Sequence, residues 1–146
     1  AVIVYDSMWG STGIMASAIA SGLEDEGVPV RIIDIQKNHH SDVMTELADC
    51  GAVIVGSATH NNNVLPGIAD VLTYMKGLRP LNRVGAAFGS YGWSGESPKI
   101  IQEWLASMNM DMPADPVKCL FVPKHEGLSQ CVALGKTVAE ALKAKC

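Results

Sequence analysis

Strand-forming and helix-forming segments alternate five times along this chain, and this alternation restricts the fold more than any other feature of the sequence. Residues 1–5 form an unbroken apolar run, which suits a strand that is covered on both faces. Five βα units of this length imply right-handed crossovers and a parallel sheet with helices on both faces. The strands are predicted over residues 1–5, 28–35, 52–55, 83–88 and 117–122.

The helices between these strands are predicted from the spacing of apolar residues and from the residues at the helix ends. Thr12 is predicted to be the N-cap of the first helix, and Gly27 to end it. The later helices are predicted over residues 43–50, from Pro66, from Pro98, and over residues 126–145. The side chains predicted to face inward are Ile14, Met15, Ala18, Ile19, Leu23, Ile68, Val71, Leu72, Met75, Ile100, Ile101, Trp104, Leu105, Met108, Leu128, Val132, Val138 and Leu142.

The composition is typical of one globular domain. Of the 146 residues, 48% are hydrophobic and 18% are charged, which argues against disorder. The net charge is −4 and there is no basic stripe, so we expect no nucleic-acid partner. No apolar run approaches the ~20 residues of a membrane span, and no basic segment precedes the first strand. We therefore expect a cytoplasmic protein with no membrane partner and no signal peptide.

The four cysteines are Cys50, Cys119, Cys131 and Cys146, and no two of them form a C-x-x-C pair. We interpret them as reduced, mostly buried thiols rather than as a disulfide or metal framework. The chain opens on a strand without an initiator methionine. We therefore expect it to be processed or to be cut from a longer polypeptide.

The loop after the first strand, residues 6–12, has the composition of an anion-binding turn. It joins a strand to a helix N-terminus, where backbone N–H groups and the helix dipole favour negative charge. Ser7, Ser11 and Thr12 add hydroxyl donors, and because the loop has no Lys or Arg, neutral donors would hold a phosphate there. A flat ring ligand could cover Trp9. The alternative is an ordinary turn in which Trp9 folds back onto the protein.

Two further loops follow the third and fourth strands. Residues 56–63 carry amide and hydroxyl groups that could pair with the polar edge of a uracil-like ring, or form a solvated loop. Within them, His60 could be a proton donor, a ligand contact or a solvated side chain. Residues 89–96 contain three glycines that let the backbone approach a ligand, while Tyr91 and Trp93 offer aromatic faces for stacking or form a local packing cluster. Because these loops leave the carboxyl ends of parallel strands, all three would converge on one crevice.

Other kinds of site find little support in the sequence. The GxxxxGK[ST] loop is absent, and no G-x-G-x-x-G follows the first strand, although Asp34 stands where a ribose-binding acid would lie. The third strand does not end in the acidic acceptor of a phosphate-receiver domain, and no G-x-S-x-G nucleophile motif is present. His39, His40 and Asp42 resemble a metal cluster, but adjacent histidines point in different directions. We therefore predict no metal site and no catalytic side chain.

Four stretches carry a family resemblance, namely YDSMWGST at residues 5–12, VGSATHNN at 55–62, LRP at 78–80 and FGSYGWSGE at 88–96. In these stretches the chain resembles the flavodoxin-like domain of flavodiiron proteins, also called A-type flavoproteins, and the resemblance covers essentially the whole chain. Trp9 is among its more specific features, since ordinary flavodoxins usually have Thr or Ser there. The resemblance implies one domain over residues 1–146. Its fold would be a flavodoxin-like three-layer α/β/α sandwich with a five-stranded parallel sheet of order 2-1-3-4-5.

The resemblance also implies FMN as the cofactor and assigns residues to it. The phosphate would be bound by Ser7, Met8, Trp9, Gly10, Ser11 and Thr12. The isoalloxazine ring would be enclosed by Ala58, Thr59, His60, Asn61, Ser90, Tyr91, Gly92, Trp93, Ser94 and Gly95. The family usually has Pro where Ala58 stands. That change is expected to loosen the second loop and to shift the reduction potential of the flavin without abolishing binding.

In flavodiiron proteins the flavin domain follows a metallo-β-lactamase-like domain, whose two irons reduce dioxygen or nitric oxide. This chain has no H-x-[HE]-x-D motif and no room for that domain, so the resemblance implies an excised domain or a stand-alone relative that carries electrons. Rubredoxin or a reductase-type protein is the expected electron donor, and the diiron domain is the expected acceptor. The alternatives are an FMN-dependent NAD(P)H:quinone or flavin reductase, a stand-alone flavodoxin-type carrier, and a non-catalytic nucleotide-binding module.

Overall fold

The computed structural model describes residues 1–6, 10–38, 40–49, 51–60, 63–78, 83–91, 96–120 and 124–145. Strands and helices alternate through these residues, with one additional short strand after the third. The strands are β1 (Val2–Asp6), β2 (Arg31–Asp34), β3 (Ala52–His60), β4 (Asn63–Val64), β5 (Val84–Tyr91) and β6 (Val117–Leu120). The helices are α1 (Ser11–Asp25), α2 (His40–Asp49), α3 (Pro66–Leu78), α4 (Ser97–Ser107) and α5 (His125–Lys145).

The sheet has the order β2-β1-β3-β5-β6, and each of these neighbouring pairs is parallel. In its centre, Val4 of β1 is paired with Ile33 on one side and with Val55 on the other. β4 lies off this path and pairs antiparallel with β3. Because β4 is the additional strand, the order of the parallel strands is the predicted 2-1-3-4-5, and the predicted fold is confirmed.

The two faces of the sheet are covered by different helices, because successive side chains of a strand point to opposite faces. Ile3, Ile54 and Phe88 are fully buried on the face that α1 and α5 cover. Val4 and Val55 are fully buried on the other face, against α2, α3 and α4. On α3, the four predicted inward residues are all fully buried, namely Ile68, Val71, Leu72 and Met75.

The backbones of α1 and α5 touch at two glycines. A Cβ atom added to Gly22 would lie 2.2 Å from the carbonyl oxygen of Val132 on α5. A Cβ atom added to Gly135 would lie 2.2 Å from the carbonyl oxygen of Ile19 on α1. Neither helix could therefore hold its position against the other if it carried a side chain at its contact glycine.

The two ends of α1 differ in how well the sequence predicts them. The prediction of Thr12 as N-cap is wrong: the N-cap is Gly10, which has a φ of 85° and makes no side-chain capping hydrogen bond, and the helix begins at Ser11. At the other end, Gly27 has a φ of 76° and donates its N–H to the carbonyl of Glu24, as predicted for a helix-ending glycine.

Several boundaries differ from the predictions. β2 begins at Arg31 rather than at residue 28, because the Val28 N–H is already bonded to the carbonyl of Leu23 and Pro29 has no N–H. β3 and β5 run further than predicted, into the second and third loops. β6 is described as far as Leu120, and residues 121–122 of the predicted strand lie outside the described residues. The helices α2, α4 and α5 each begin one to three residues before the predicted start.

Some burial predictions were tested by the structure. Ile14 was predicted to face inward but is 46% exposed, so that prediction is wrong, whereas the adjacent Met15 is fully buried. Trp104 is partly buried against the core, with the Lys76 ammonium 5.3 Å from its ring centre. Cys119 and Cys131 are free, buried thiols as predicted, and Cys50 and Cys146 lie outside the described residues. None of the helices traced through the described residues has the length and apolarity needed to cross a bilayer.

Candidate functional site

The carboxyl ends of β1, β3 and β5 lie side by side, and the three predicted ligand loops leave from them. Asp6 at the end of β1 is paired with Ser57 of β3, and Ala58 of β3 is paired with Ser90 of β5. The structure thus brings together the described ends of all three loops. For His60 only the backbone is described, as part of β3. The predicted site residues outside the described ranges are Ser7, Met8, Trp9, Asn61, Gly92, Trp93, Ser94 and Gly95.

The described end of the first loop has the geometry of an anion site. Gly10 adopts a left-handed backbone conformation, and α1 begins at the next residue. Ser11 is 7% exposed and stands at the first helical position, where backbone N–H groups and the positive end of the helix dipole meet. Anions bind readily at helix N-termini for this reason.

Thr12 is held differently from what the sequence suggests. Its side chain is fully buried within the first turn of α1, and its hydroxyl lies 2.9 Å from the hydroxyl of Ser90, either of which can donate. Ser90 itself is 6% exposed. The side chain of Thr12 therefore ties the first loop to the third. If Ser90 donates to Thr12, the Thr12 hydroxyl still has its own proton to offer to a ligand.

The second loop is largely a strand that turns back on itself, so the prediction of a loop beginning at Gly56 is wrong for residues 56–60. Thr59 and His60 pair antiparallel with Val64 and Asn63, so the chain returns along β3 as a hairpin. The Ser57 hydroxyl donates to the carbonyl of Ala58 at 2.8 Å and accepts the N–H of Leu65 at 2.9 Å. Polar residues that suggest a solvated loop in the sequence are thus satisfied within the sheet.

A second set of hydroxyl contacts joins this hairpin to the start of α4. The Thr59 hydroxyl donates to Ser97 Oγ at 2.9 Å and accepts the Ser97 N–H at 3.2 Å. Ser97 Oγ in turn donates to the carbonyl of Ser57 at 3.0 Å. Ser97 is fully buried, and it follows the third loop directly in the chain. Sequence reasoning missed Ser97, although a serine just before Pro98 at a helix start is a recognisable signal.

The first residues of the predicted third loop, 89–91, belong to β5. A Cβ atom on Gly89 would lie 2.4 Å from the carbonyl oxygen of Ser57 and 2.9 Å from Ser97 Oγ, so this glycine packs against protein atoms rather than facing a ligand. Tyr91 ends β5 half-buried, and the Lys118 ammonium lies 5.9 Å from its ring centre. One face of this ring is therefore paired with a cation.

A polar cluster of Asp6, Asp34 and Gln36 lies on the β2 side of the site. The side-chain amide of Gln36 donates to Asp6 Oδ1 at 2.7 Å, and its backbone N–H donates to Asp34 Oδ1 at 2.9 Å. Burial, and then the nearby Asp34 carboxyl, raise the pKa of Tyr5. Asp34 is thus engaged locally, which weakens the interpretation of this residue as a ribose-binding acid. Asp6 is 7% exposed, and sequence reasoning gave it no role.

Glu96 supplies a buried acceptor at the end of the third loop. Its Oε2 atom is buried and has no hydrogen-bond partner among the described residues. FMN would bring an anionic phosphate, an N3–H and ribityl hydroxyls. A helix N-terminus for the anion and an unused acceptor for a donor group fit that ligand. Within the described residues, no three His, Cys, Asp or Glu side chains are grouped so as to hold a metal ion.

A family model described as flavodoxin matches residues 3–135 of the chain. The chain belongs to the flavodoxin family. This family binds FMN, so the predicted cofactor is confirmed. The sequence is 54% identical over 144 residues to rubredoxin-oxygen oxidoreductase of Megalodesulfovibrio gigas, covering 99% of this chain and 36% of that protein. The solved structure of the Desulfovibrio gigas rubredoxin oxygen:oxidoreductase superimposes with a TM-score of 0.97.

Two further solved structures, a flavodiiron protein and a flavodoxin, are also similar to this chain. The flavodiiron protein from Giardia intestinalis has a TM-score of 0.93 at 29% identity, with 99% of this chain and 36% of that one covered. A flavodoxin from the domain Archaea has a TM-score of 0.84 at 32% identity, with 98% and 99% covered. The chain therefore matches the flavin module of flavodiiron proteins, as predicted, and it spans about a third of the length of those relatives.

Proposed function

We propose that this chain is an electron-transfer domain that holds FMN at the carboxyl edge of its sheet and passes electrons to a diiron oxidoreductase centre. The supporting observation is the assembly of three strand ends, at β1, β3 and β5, into one hydroxyl-bonded edge. When bound, FMN supplies the redox chemistry, while the chain supplies binding and orientation. No side chain is needed as an acid, base or nucleophile.

The roles of the residues follow from where they lie. Gly10 and Ser11, at the N-terminus of α1, bind the phosphate together with residues 7–9. The hairpin segment 58–61 and residues 90–95 enclose the ring. Ala58 is 8% exposed and is held in β3 between its neighbours. This sheet pairing limits the loosening that the sequence suggests for an alanine in place of the family's proline.

The partners are proposed from the relatives. The relative from Megalodesulfovibrio gigas is named for rubredoxin and oxygen, which supports rubredoxin as the electron donor and dioxygen as the final acceptor of a larger assembly. The flavodiiron protein from Giardia intestinalis, of which this chain covers 36%, supports a diiron domain as the immediate acceptor. We also propose a cytoplasmic location, since the redox partners of such a carrier would be found there.

A stand-alone carrier is the second candidate. The archaeal flavodoxin favours it, because nearly all of that chain is covered by this one. Stopped-flow absorbance distinguishes the two functions by following electron transfer from reduced rubredoxin to the flavin and from the flavin to a diiron domain. A flavin module should accept electrons from reduced rubredoxin and deliver them to a separately produced diiron domain. A stand-alone carrier should show no transfer to that domain.

The absorbance spectrum of the purified protein in the near-ultraviolet and visible range tests the proposed function. The expected result is yellow protein with one FMN per chain, released by acid and identified by mass spectrometry. If the protein is colourless and stays so after titration with FMN, the proposal is wrong. Addition of NADPH alone is the matched control, since rapid bleaching without a partner reductase would indicate a reductase instead.

A further inference from the structure

The Ser97 side chain and backbone both bind the hairpin of the second loop. The Ser97 N–H donates to the Thr59 hydroxyl, which donates in return to Ser97 Oγ, at 3.2 and 2.9 Å. Ser97 Oγ donates its own proton to the carbonyl of Ser57 at 3.0 Å. Every proton of these two hydroxyls therefore has a defined acceptor, so the contact has one hydrogen-bonding pattern rather than several interchangeable ones.

The position of Ser97 in the chain gives this contact a consequence for the third loop. The segment that follows β5 begins two residues after Ser90, which is bonded to Thr12, and it leads into Ser97, which is bonded to Thr59. Both ends of that segment are thus fixed by buried hydroxyls to another proposed flavin-binding loop. The space between Gly89, Ser57 and Ser97 is already filled, because a Cβ atom on Gly89 would be 2.4 Å from the Ser57 carbonyl oxygen. These contacts fix the described ends of the two loops relative to each other.

We propose that Ser97 is a positioning residue that sets the distance between the hairpin and the third loop, and so controls binding of the isoalloxazine ring but not of the phosphate. This inference rests on the proposed function. It also assigns Thr59 an indirect role: its hydroxyl serves Ser97 and does not bind the cofactor. The phosphate end of the site has its own donors, at Gly10, Ser11 and the start of α1, whereas Ser97 bonds the hairpin.

The test compares two ligands, FMN and riboflavin, which carry the same ring but differ in the phosphate. The variants are S97A, T59V and the double variant, with T59S as the conservative change that keeps the hydroxyl. S107A is the matched control, since Ser107 lies on the same helix and its exposed hydroxyl bonds only locally, to the carbonyl of Trp104 at 2.6 Å. Dissociation constants are measured by quenching of flavin fluorescence.

We expect S97A and T59V each to weaken FMN and riboflavin by the same factor, about tenfold, because the lost contact acts on the ring they share. The double variant should lose less than the sum of the two single losses, since both changes remove the same hydrogen bond between the Thr59 and Ser97 hydroxyls. T59S and S107A should bind both ligands as the unchanged protein does. If the substitutions acted merely by weakening folding, the loss of flavin affinity would instead follow the loss in free energy of unfolding across all five variants.

Several outcomes would overturn the inference. These are FMN weakened with riboflavin unchanged, neither ligand affected by S97A and T59V, or additive losses in the double variant. If S97A does not fold, the T59V and T59S pair at the half-buried Thr59 decides the question alone. If the unchanged protein binds neither flavin, the proposed function itself fails, and that result is distinct from any effect of the variants.

Discussion

The hydroxyls of Thr12 and Ser90 are 2.9 Å apart and buried, although the two residues are separated by 78 positions in the chain. Thr12 belongs to the first turn of α1, and Ser90 to the end of β5. This single contact connects the segment proposed to hold the phosphate with the segment proposed to hold the ring. The phosphate and ring ends of the site are therefore mechanically linked inside the protein, before any ligand connects them.

Replacing either hydroxyl should destabilise the protein. We expect T12V and S90A each to lower the free energy of unfolding by about 1–3 kcal/mol, because each leaves a buried hydroxyl without its partner. The double variant should lose clearly less than the sum, because no hydroxyl is then left unpaired. Urea unfolding of the cofactor-free protein measures these values. S21A on the same helix, whose exposed hydroxyl bonds the Ser17 carbonyl, should change little, and additive losses would contradict the coupling.

The contact between α1 and α5 should not tolerate a side chain. G22A places a methyl group 2.2 Å from the Val132 carbonyl oxygen, so we expect a loss of about 1–3 kcal/mol as the helices separate. G77A is the matched control, because among the described residues no atom lies within 4 Å of its added Cβ. Since alanine favours helix, G77A should instead raise the free energy of unfolding by about 0.5–1 kcal/mol, and the melting temperature with it. Equal effects of the two changes, measured by calorimetry, would rule out this account.

Gly10 should be constrained by its backbone alone. Its φ is 85°, yet no atom of the described residues lies within 4 Å of an added Cβ, so G10A costs only the strain of a left-handed conformation, about 1–2 kcal/mol. G10N should cost less than G10A, because asparagine tolerates this conformation better than alanine. Urea unfolding compares the two variants. A larger loss for G10N than for G10A would show that side-chain space, and not φ, is limiting.

Stability should fall at alkaline pH. Burial, and then the neighbouring Cys119 thiol, raise the pKa of Cys131 from its ordinary value of 9.0 to about 12. Because the folded state holds this proton more tightly, its contribution is complete below pH 9 and is lost as the pH rises to about 12. Tyr5, whose pKa is also raised, acts in the same direction.

The measurement is urea unfolding at a series of pH values from about 8 to 11, where one such group changes stability by up to ~1.4 kcal/mol per pH unit. C131A should be less stable at neutral pH, because it leaves a small cavity, but its stability should decline less steeply with pH. The variant Y5F measures how much of the pH dependence of the free energy of unfolding comes from Tyr5 rather than from Cys131. If C131A and the unchanged protein lose stability in parallel, Cys131 is not the responsible group.

The sequence predicts a parallel sheet, the existence of each long element and most of the core, because five βα repeats with strong apolar periodicity leave few other arrangements. The order of the strands is implied only by the family resemblance. It fails where polar residues continue a strand. Residues 56–60 look like a loop because serine, threonine and histidine are common in turns, yet their hydroxyls and backbone are paired inside the sheet. Such pairing depends on neighbours far away in sequence.

The candidate site shows the same division. The anion-binding position at the start of α1 can be predicted because a strand, a glycine turn and a helix follow one another directly in the sequence. The partners of Thr12, Thr59 and Ser97 could not be predicted, because they join residues 38 to 78 positions apart. Thr12 illustrates the ambiguity, since a threonine before a helix is a good N-cap and the same hydroxyl can equally bond across the fold. Only the tertiary arrangement decides between the two.

The return of β3 through β4 has one more consequence, for how the cofactor would be taken up. Ser57 is paired with strands on both sides, Ala58 with Ser90 of β5, and Thr59 and His60 with β4, so the amide protons of this stretch should exchange with solvent slowly. An incoming flavin would therefore meet a stretch of β3 that is already folded. Its arrival need not wait for that stretch to become ordered.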